Sequence, residues 1–149
     1  MGDQLGLLIV GCGYWGVNYV RNFTEMSETR VVALCDQRAE RLDDLRRRFP
    51  EPVLTTDLEQ ALRLPGVDAV VVCTNATAHY DVARHCLEAG KHVLIEKPMA
   101  TSTERAQRLV DLAAARRVTL MVGHIFLYNN AVRKIKSYID EGALGELYY

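Results

Sequence analysis

Three glycines and one acid carry the first chemistry legible in this chain. Gly11, Gly13 and Gly16, in Gly11-Cys12-Gly13-Tyr14-Trp15-Gly16, follow the apolar run Leu5, Leu7, Leu8, Ile9 and Val10, and a second apolar run, Val31 to Cys35, ends on Asp36. That order suits a dinucleotide: the first glycine allows a tight strand-to-helix turn, the second lets a pyrophosphate approach the backbone, and the third lets helix and strand pack closely. A helix starting near Tyr14 directs its free N–H groups and the positive end of its dipole at the phosphates, which makes Tyr14 and Trp15 cofactor contacts beside the glycines. Asp36 can accept hydrogen bonds from the ribose hydroxyls of the adenosine half. Its charge opposes a 2′-phosphate, so NAD is the expected cofactor, with NADP possible because Arg38, two residues on, softens the preference.

A second set of polar residues falls where further strands end. Thr74-Asn75-Ala76-Thr77-Ala78-His79 follows one apolar run, Glu96-Lys97-Pro98 the next, Gly123-His124 another, and then comes Tyr128-Asn129-Asn130. Lys97 is the sharpest catalytic candidate. An ammonium held between Glu96 and Pro98, partly desolvated beside a cofactor, can donate to a substrate hydroxyl and stabilise the alkoxide that develops as hydride leaves. His124 is the second catalytic candidate, reading either as a contact to substrate or nicotinamide or as a satisfied structural histidine. Thr74, Asn75, His79, Glu96 and Lys97 itself are expected around the cofactor, with capping or packing as the other reading of His79 and positioning of Lys97 as the role of Glu96.

These residues need a scaffold that brings strand ends together. Strand-like runs recur at Val53 to Thr55, Ala69 to Cys73, His92 to Ile95 and Val118 to Val122, and helical patterns lie between them at Val17 to Phe23, Ala39 to Phe49, His79 to Ala89 and Thr103 to Arg116. In the last helix Ala106, Leu109, Val110 and Ala113 share a face, Thr101 and Glu104 have capping-box spacing at its start, and Gly90 stops the helix before it. Alternating β and α with near-continuous apolar strands predicts an α/β fold, a doubly wound parallel sheet of Rossmann type with ligands at the carboxyl ends of its strands. Residues 1–122 form the dinucleotide-binding core. Residues 123–149 hold a further amphipathic helix, with Ala131, Val132, Ile135 and Ile139 on one face, and then Glu146-Leu147-Tyr148-Tyr149, which reads as the start of a strand.

Bulk properties remove several alternatives. The 149 residues, 49% hydrophobic, are enough for one well-cored domain, and 18 basic against 19 acidic residues give a net charge of -1, so no global field draws the chain to nucleic acid or an anionic membrane. The cluster Arg46-Arg47-Arg48 reads as a solvated helix face. Cys12, Cys35, Cys73 and Cys86 show no C-x-x-C pair and read as small buried hydrophobes, Cys12 in the phosphate turn being the one with an oxidation-sensitive alternative. No metal site is expected. No signal-like segment or apolar run approaches a membrane span, which needs about 18 consecutive apolar residues, so a cytoplasmic protein is expected.

The glycine fingerprint with Asn18 behind it, Asp36, Glu96-Lys97-Pro98 and the terminal Gly142-Ala143-Leu144-Gly145-Glu146 together resemble the N-terminal domain of the Gfo/Idh/MocA family of NAD(P)-dependent sugar and cyclitol oxidoreductases. The resemblance covers the whole chain. Within that family, Tyr14-Trp15-Gly16-Val17-Asn18, Arg21-Asn22-Phe23 and the stretch from Gly123 to Arg133 are most similar to nucleotide-sugar 3-dehydrogenases, which act on UDP-N-acetylglucosamine or its uronic acid. The resemblance implies a sugar or nucleotide-sugar substrate, a cis peptide bond before Pro98, and a second α/β domain that binds substrate and commonly forms the oligomer interface. That domain is absent from this chain. The chain departs from the family at Thr74-Asn75 and at Asn129-Asn130, where members often have Thr-Pro and Asn-Pro. A different class, a nucleotide-sensing module that keeps the pocket without turnover, also fits the glycine loop, and a purely structural role leaves the convergence of Lys97 and His124 unexplained.

Overall fold

A strand covered on both faces must be apolar at consecutive positions, and β1 (Leu5–Val10) has Leu7, Leu8, Ile9 and Val10 all buried. The computed structural model describes residues 4–148. After β1 come α1 (Tyr14–Glu25), β2 (Thr29–Cys35), α2 (Ala39–Arg46), β3 (Val53–Thr55), α3 (Leu58–Leu62), β4 (Ala69–Val72), α4 (Ala76–Glu88), β5 (His92–Ile95), α5 (Thr103–Arg116), β6 (Leu120–Val122), a 3₁₀ turn (Ile125–Tyr128) and α6 (Asn130–Asp140). The six strands form one sheet in the order β3-β2-β1-β4-β5-β6. Every pairing is parallel, so all strand carboxyl ends reach the same edge. The doubly wound expectation holds.

Period-two alternation divides the core between the faces. Leu8, Val10, Val70, Val72, Val93 and Ile95 point to one cluster, which α3, α4 and α5 close with Ala61, Leu87 and Leu109. Leu7, Ile9, Leu34 and Val71 point the other way, to Val20 of α1 and Leu42 and Leu45 of α2. Truncating a fully buried leucine such as Leu8 to alanine costs about 2–5 kcal/mol at such sites.

Local differences from the expected elements have local causes. α3 has only five residues, too few to establish a helical period, and is fixed instead by the Asp57 side chain accepting from the Gln60 N–H. α5 starts at the expected Thr103, but Ser102 caps it by accepting from Arg105, and Thr101 does not. Residues 146–148 form no strand, having no neighbouring strand to pair with among the described residues, and Tyr149 lies outside those described. The expected terminal helix is present as α6, none of whose residues is buried. No helix among the described residues is long and apolar enough to cross a membrane.

Candidate functional site

The sheet order changes direction between β1 and β4, and a crevice outside the carboxyl ends of these strands follows from that topology. A cavity of about 680 Å³ opens there, lined by Gly11, Gly13, Trp15, Asp36, Thr74 and Asn75 among others. Gly11 has φ 92°, and a Cβ on it would stand 2.7 Å from the Cys73 carbonyl carbon and oxygen. A Cβ on Gly16 would stand 2.0 Å from the Gly11 oxygen, so helix α1 meets the loop without room for a side chain. Gly13 is different: its nearest neighbour is Arg41 Nη1, 3.6 Å away, and no backbone crowds it. Packing therefore accounts for Gly11 and Gly16, while Gly13 faces only the end of an arginine side chain at ordinary contact distance, so its backbone is approachable by a ligand.

Helix capping marks the same crevice. Side chains of Asp57, Ser102 and Asn129 cap α3, α5 and α6. α1, α2 and α4 begin at Gly13, Arg38 and Asn75 without any side-chain cap, and all three residues line the cavity. The first N–H groups of a helix have no intrahelical acceptor, so these starts offer donors and positive dipole ends to an anion. Thr74 also lines the cavity, and its buried hydroxyl has no hydrogen-bond partner among the described residues. A glycine backbone uncrowded by other backbone at Gly13, uncapped helix starts and an orphaned hydroxyl together fit a dinucleotide pyrophosphate.

At the adenosine end, Asp36 is 6% exposed and both its oxygens accept hydrogen bonds. Its Oδ2 accepts from the Cys12 N–H at 2.7 Å and from Arg41 Nη1 at 3.2 Å, and its Oδ1 accepts from the Arg38 N–H at 2.9 Å. Arg41 went unnoticed in the sequence, although an arginine five residues after the acid, in the first turn of the following helix, was the signal. Tyr14 and Trp15 are exposed at the cavity and meet edge to face with centroids 5.4 Å apart. The Cys12 thiol is pushed up to about 12, by burial first and then by Asp36, so it is protonated at neutral pH and behaves as a small buried group.

The lysine turn lies beyond β5. Glu96 is buried; its Oε1 accepts from the Tyr19 hydroxyl at 2.8 Å and its Oε2 from the Lys97 N–H at 3.1 Å. Glu96 thus positions the turn. The Lys97–Pro98 peptide bond is cis, and the Lys97 side chain is exposed. His79, 1% exposed, has Nδ1 2.7 Å from the Pro98 carbonyl oxygen and Nε2 3.0 Å from that of Thr74. It fastens the loop after β4 to the lysine turn, the packing role, and does not line the cavity. Gly123 approaches from β6: a Cβ there would stand 3.1 Å from the Tyr19 hydroxyl and 3.2 Å from Glu96 Oε1. His124, next to it, is exposed and its ring makes no hydrogen bond among the described residues. The structure therefore gathers Gly11, Gly13, Tyr14, Trp15, Asp36, Thr74 and Asn75 around one cavity, and sets Lys97 and His124 outside it, after the adjacent strands β5 and β6. No group of three metal-ligating side chains occurs among the described residues.

The chain matches the model of the Gfo/Idh/MocA family, described as an oxidoreductase family with an NAD-binding Rossmann fold, over residues 5–124. It is 34% identical over 107 residues to scyllo-inositol 2-dehydrogenase (NADP(+)) IolW of Bacillus subtilis, covering 72% of this chain and 30% of that protein. Among solved structures, GenD2 from gentamicin A biosynthesis, in complex with NAD, superposes with a TM-score of 0.89 at 34% identity, covering 97% of this chain and 42% of that one. KijD10, a 3-ketoreductase from Actinomadura kijaniata in complex with TDP-benzene and NADP, superposes with a TM-score of 0.85 at 29% identity, covering 94% and 44%. The chain spans less than half the length of each of these relatives. With the glycine cradle, the uncapped helix starts and the parallel sheet in place, the chain belongs to the Gfo/Idh/MocA oxidoreductase family, as its NAD-binding Rossmann domain.

Proposed function

We propose that this domain serves an enzyme that oxidises a ring hydroxyl of a nucleotide-activated N-acetyl sugar or its uronic acid. The observation that carries the reading is the Glu96-Lys97-Pro98 turn, set at the carboxyl end of β5 and tied by His79 to the loop that lines the dinucleotide cavity. Gly11, Gly13 and the starts of α1 and α4 hold the pyrophosphate, and Thr74 and Asn75 border the path toward the nicotinamide. When bound, the nicotinamide supplies the hydride acceptor. Lys97 Nζ donates a hydrogen bond to the sugar hydroxyl and stabilises negative charge as the oxygen passes its proton to a base supplied by the second domain, while Glu96 fixes the lysine backbone. His124 meets the substrate or the nicotinamide from the end of β6. A second, substrate-binding domain completes the site and forms the oligomer contact.

Nucleotide-sugar specificity is supported by the likeness to KijD10, described with TDP-benzene. The cations of α6 lend it less support, because Lys136 pairs with Asp140 and Arg133 donates to the Leu127 carbonyl. The likeness to a scyllo-inositol dehydrogenase favours a second reading, an inositol or free-sugar dehydrogenase. NAD reduction by the complete polypeptide, assayed with UDP-N-acetylglucosamine, its uronic acid, free aldoses and inositols, separates the two. The nucleotide sugar is expected to be fastest, and a clear preference for free inositol or glucose would overturn the proposal.

A further inference from the structure

We infer that Tyr19 is a positioning residue for the lysine turn: its hydroxyl bonds to Glu96 and so makes the placement of Lys97 depend on helix α1, which begins at the dinucleotide cavity. The consequence for turnover rests on Lys97 being the donor to the sugar hydroxyl, as proposed above. Filling the cavity and setting the turn become linked events, joined by a side chain that does not itself line the cavity.

Glu96 is a bridge with two ends. It is 7% exposed, its Oε1 accepts from the Tyr19 hydroxyl at 2.8 Å and its Oε2 from the Lys97 N–H at 3.1 Å. Buried carboxylate oxygens have little water to replace a lost partner, so these two bonds fix the plane of the carboxylate between them. Tyr19 supplies the distant end, because the other bond reaches only the next residue in the chain. Burial first, and then the bond to Glu96, pushes the ionisation of the phenol up, so at neutral pH the hydroxyl keeps the proton that it donates. Its ring is stacked on Phe23 with the planes 17° apart. Tyr19 follows Gly13 by about 9 Å of helix, so a start of α1 ordered by a pyrophosphate belongs to the same rod that presents the hydroxyl. A third element closes on this contact: a Cβ on Gly123 would stand 3.1 Å from the Tyr19 hydroxyl and 3.2 Å from Glu96 Oε1, so the end of β6 packs here without a side chain. His124 follows Gly123 as Lys97 follows Glu96, and both catalytic candidates are thus the next residue after one that meets this hydroxyl.

Residue-resolved amide hydrogen exchange on the 149-residue chain tests the link, with ADP-ribose as the probe because it fills the pyrophosphate site and has no nicotinamide to touch the lysine turn. The reporter is the Lys97 amide, which donates to Glu96. Saturating ADP-ribose is expected to slow its exchange about threefold or more, and Tyr19→Phe to abolish that slowing while the amides of residues 13–16 keep theirs. A general loss of stability does not produce that split, since it weakens protection at both places. In the complete polypeptide, Tyr19→Phe should lower single-turnover hydride transfer about tenfold, with dinucleotide affinity within about threefold of wild type. A wild-type chain whose Lys97 amide ignores ADP-ribose overturns the inference without any variant having to fold, and so does a Tyr19→Phe variant that keeps the slowing or the full rate of hydride transfer. Full turnover in Lys97→Ala would instead overturn the reading of Lys97 and leave the exchange result standing.

Discussion

The phenol of Tyr19, in α1, donates a 2.8 Å hydrogen bond to Glu96 Oε1, so the helix that begins at the glycine loop is tied to the turn that carries Lys97. The other Glu96 oxygen receives the Lys97 N–H, and the carboxylate is 7% exposed. Tyr19→Phe removes the donor and keeps the ring, which stacks on Phe23 with centroids 5.9 Å apart. The buried oxygen then lacks a partner, at a cost of about 1–3 kcal/mol. Thermal denaturation should show a loss of about 2–4 °C for each kcal/mol in a domain of this size. An unchanged midpoint would mean that the hydrogen bond contributes nothing to the turn's stability.

Alkaline pH should destabilise the fold through its buried thiols. Burial, and then the Asp36 charge, pushes the Cys35 thiol from the ordinary 9.0 up to about 11. Cys86 rises to about 12 for the same first reason. A folded-state value above the unfolded one means that stability is fully present below pH 9.0 and is lost as pH rises toward 11, because the unfolded chain gives up protons that the folded chain retains. Urea midpoints measured between pH 8 and pH 10.5 should therefore fall with pH, and Cys35→Ala should flatten the slope even if it lowers the whole curve. A midpoint independent of pH would show that the thiols ionise as easily inside as outside.

Strands were more legible in the sequence than the partners of site residues. β1, β4 and β5 announce themselves because a sheet covered on both faces demands apolar residues in succession, and the glycine loop because its spacing is local. Lys97 and Asp36 could be found by their place at strand ends. Tyr19 could not, since it meets Glu96 across 77 positions and nothing in its own helix distinguishes it from a packing residue. His79 was visible as a residue but not as a fastener, because its two partners are backbone carbonyls at Thr74 and Pro98, which have no side-chain signature. Arg41 was hidden by the same rule that revealed Asp36: an acid after the second strand reads as a free ribose ligand until the neighbouring helix is seen to return a guanidinium to it.

Lys97 is exposed and does not line the cavity, so the function proposed above assigns binding and chemistry to different residues. The 149-residue chain is accordingly expected to bind dinucleotide but to show little or no dehydrogenase turnover alone. Orientation of two reactants is worth about 7–11 kcal/mol in favourable cases, and most substrate contacts are assigned to a second domain. In the complete enzyme, Lys97→Ala should reduce the rate of hydride transfer about 100-fold or more, in the range of a lost general acid–base group, with dinucleotide affinity changed less than about threefold. Single-turnover kinetics beside a binding titration distinguish the two. Equal losses in both would reassign Lys97 to cofactor binding.

Gly13 and Gly16 should fail in different ways when given a side chain. A Cβ at Gly16 falls 2.0 Å from the Gly11 oxygen and 3.0 Å from its carbonyl carbon, both backbone atoms that cannot yield without moving the loop or α1. Gly16→Ala should therefore lower stability by about 1–3 kcal/mol, the range for overpacking a tight site, and weaken dinucleotide binding with it. At Gly13 the nearest atom is an arginine side-chain nitrogen at 3.6 Å, an ordinary contact, and φ is -79°, comfortable for any residue. Alanine there costs at most about 1 kcal/mol, as a poorer helix N-cap than glycine. Its methyl group projects instead into the space left for the pyrophosphate. Gly13→Ala should fold with nearly the wild-type midpoint and bind NAD at least about tenfold more weakly, which is about 1.4 kcal/mol. Trp15 is the only tryptophan and lines the same cavity, so quenching of its fluorescence reports the binding directly. A Gly13→Ala chain that binds NAD normally would place the pyrophosphate elsewhere in the cavity, and with it the role assigned to the uncapped start of α1.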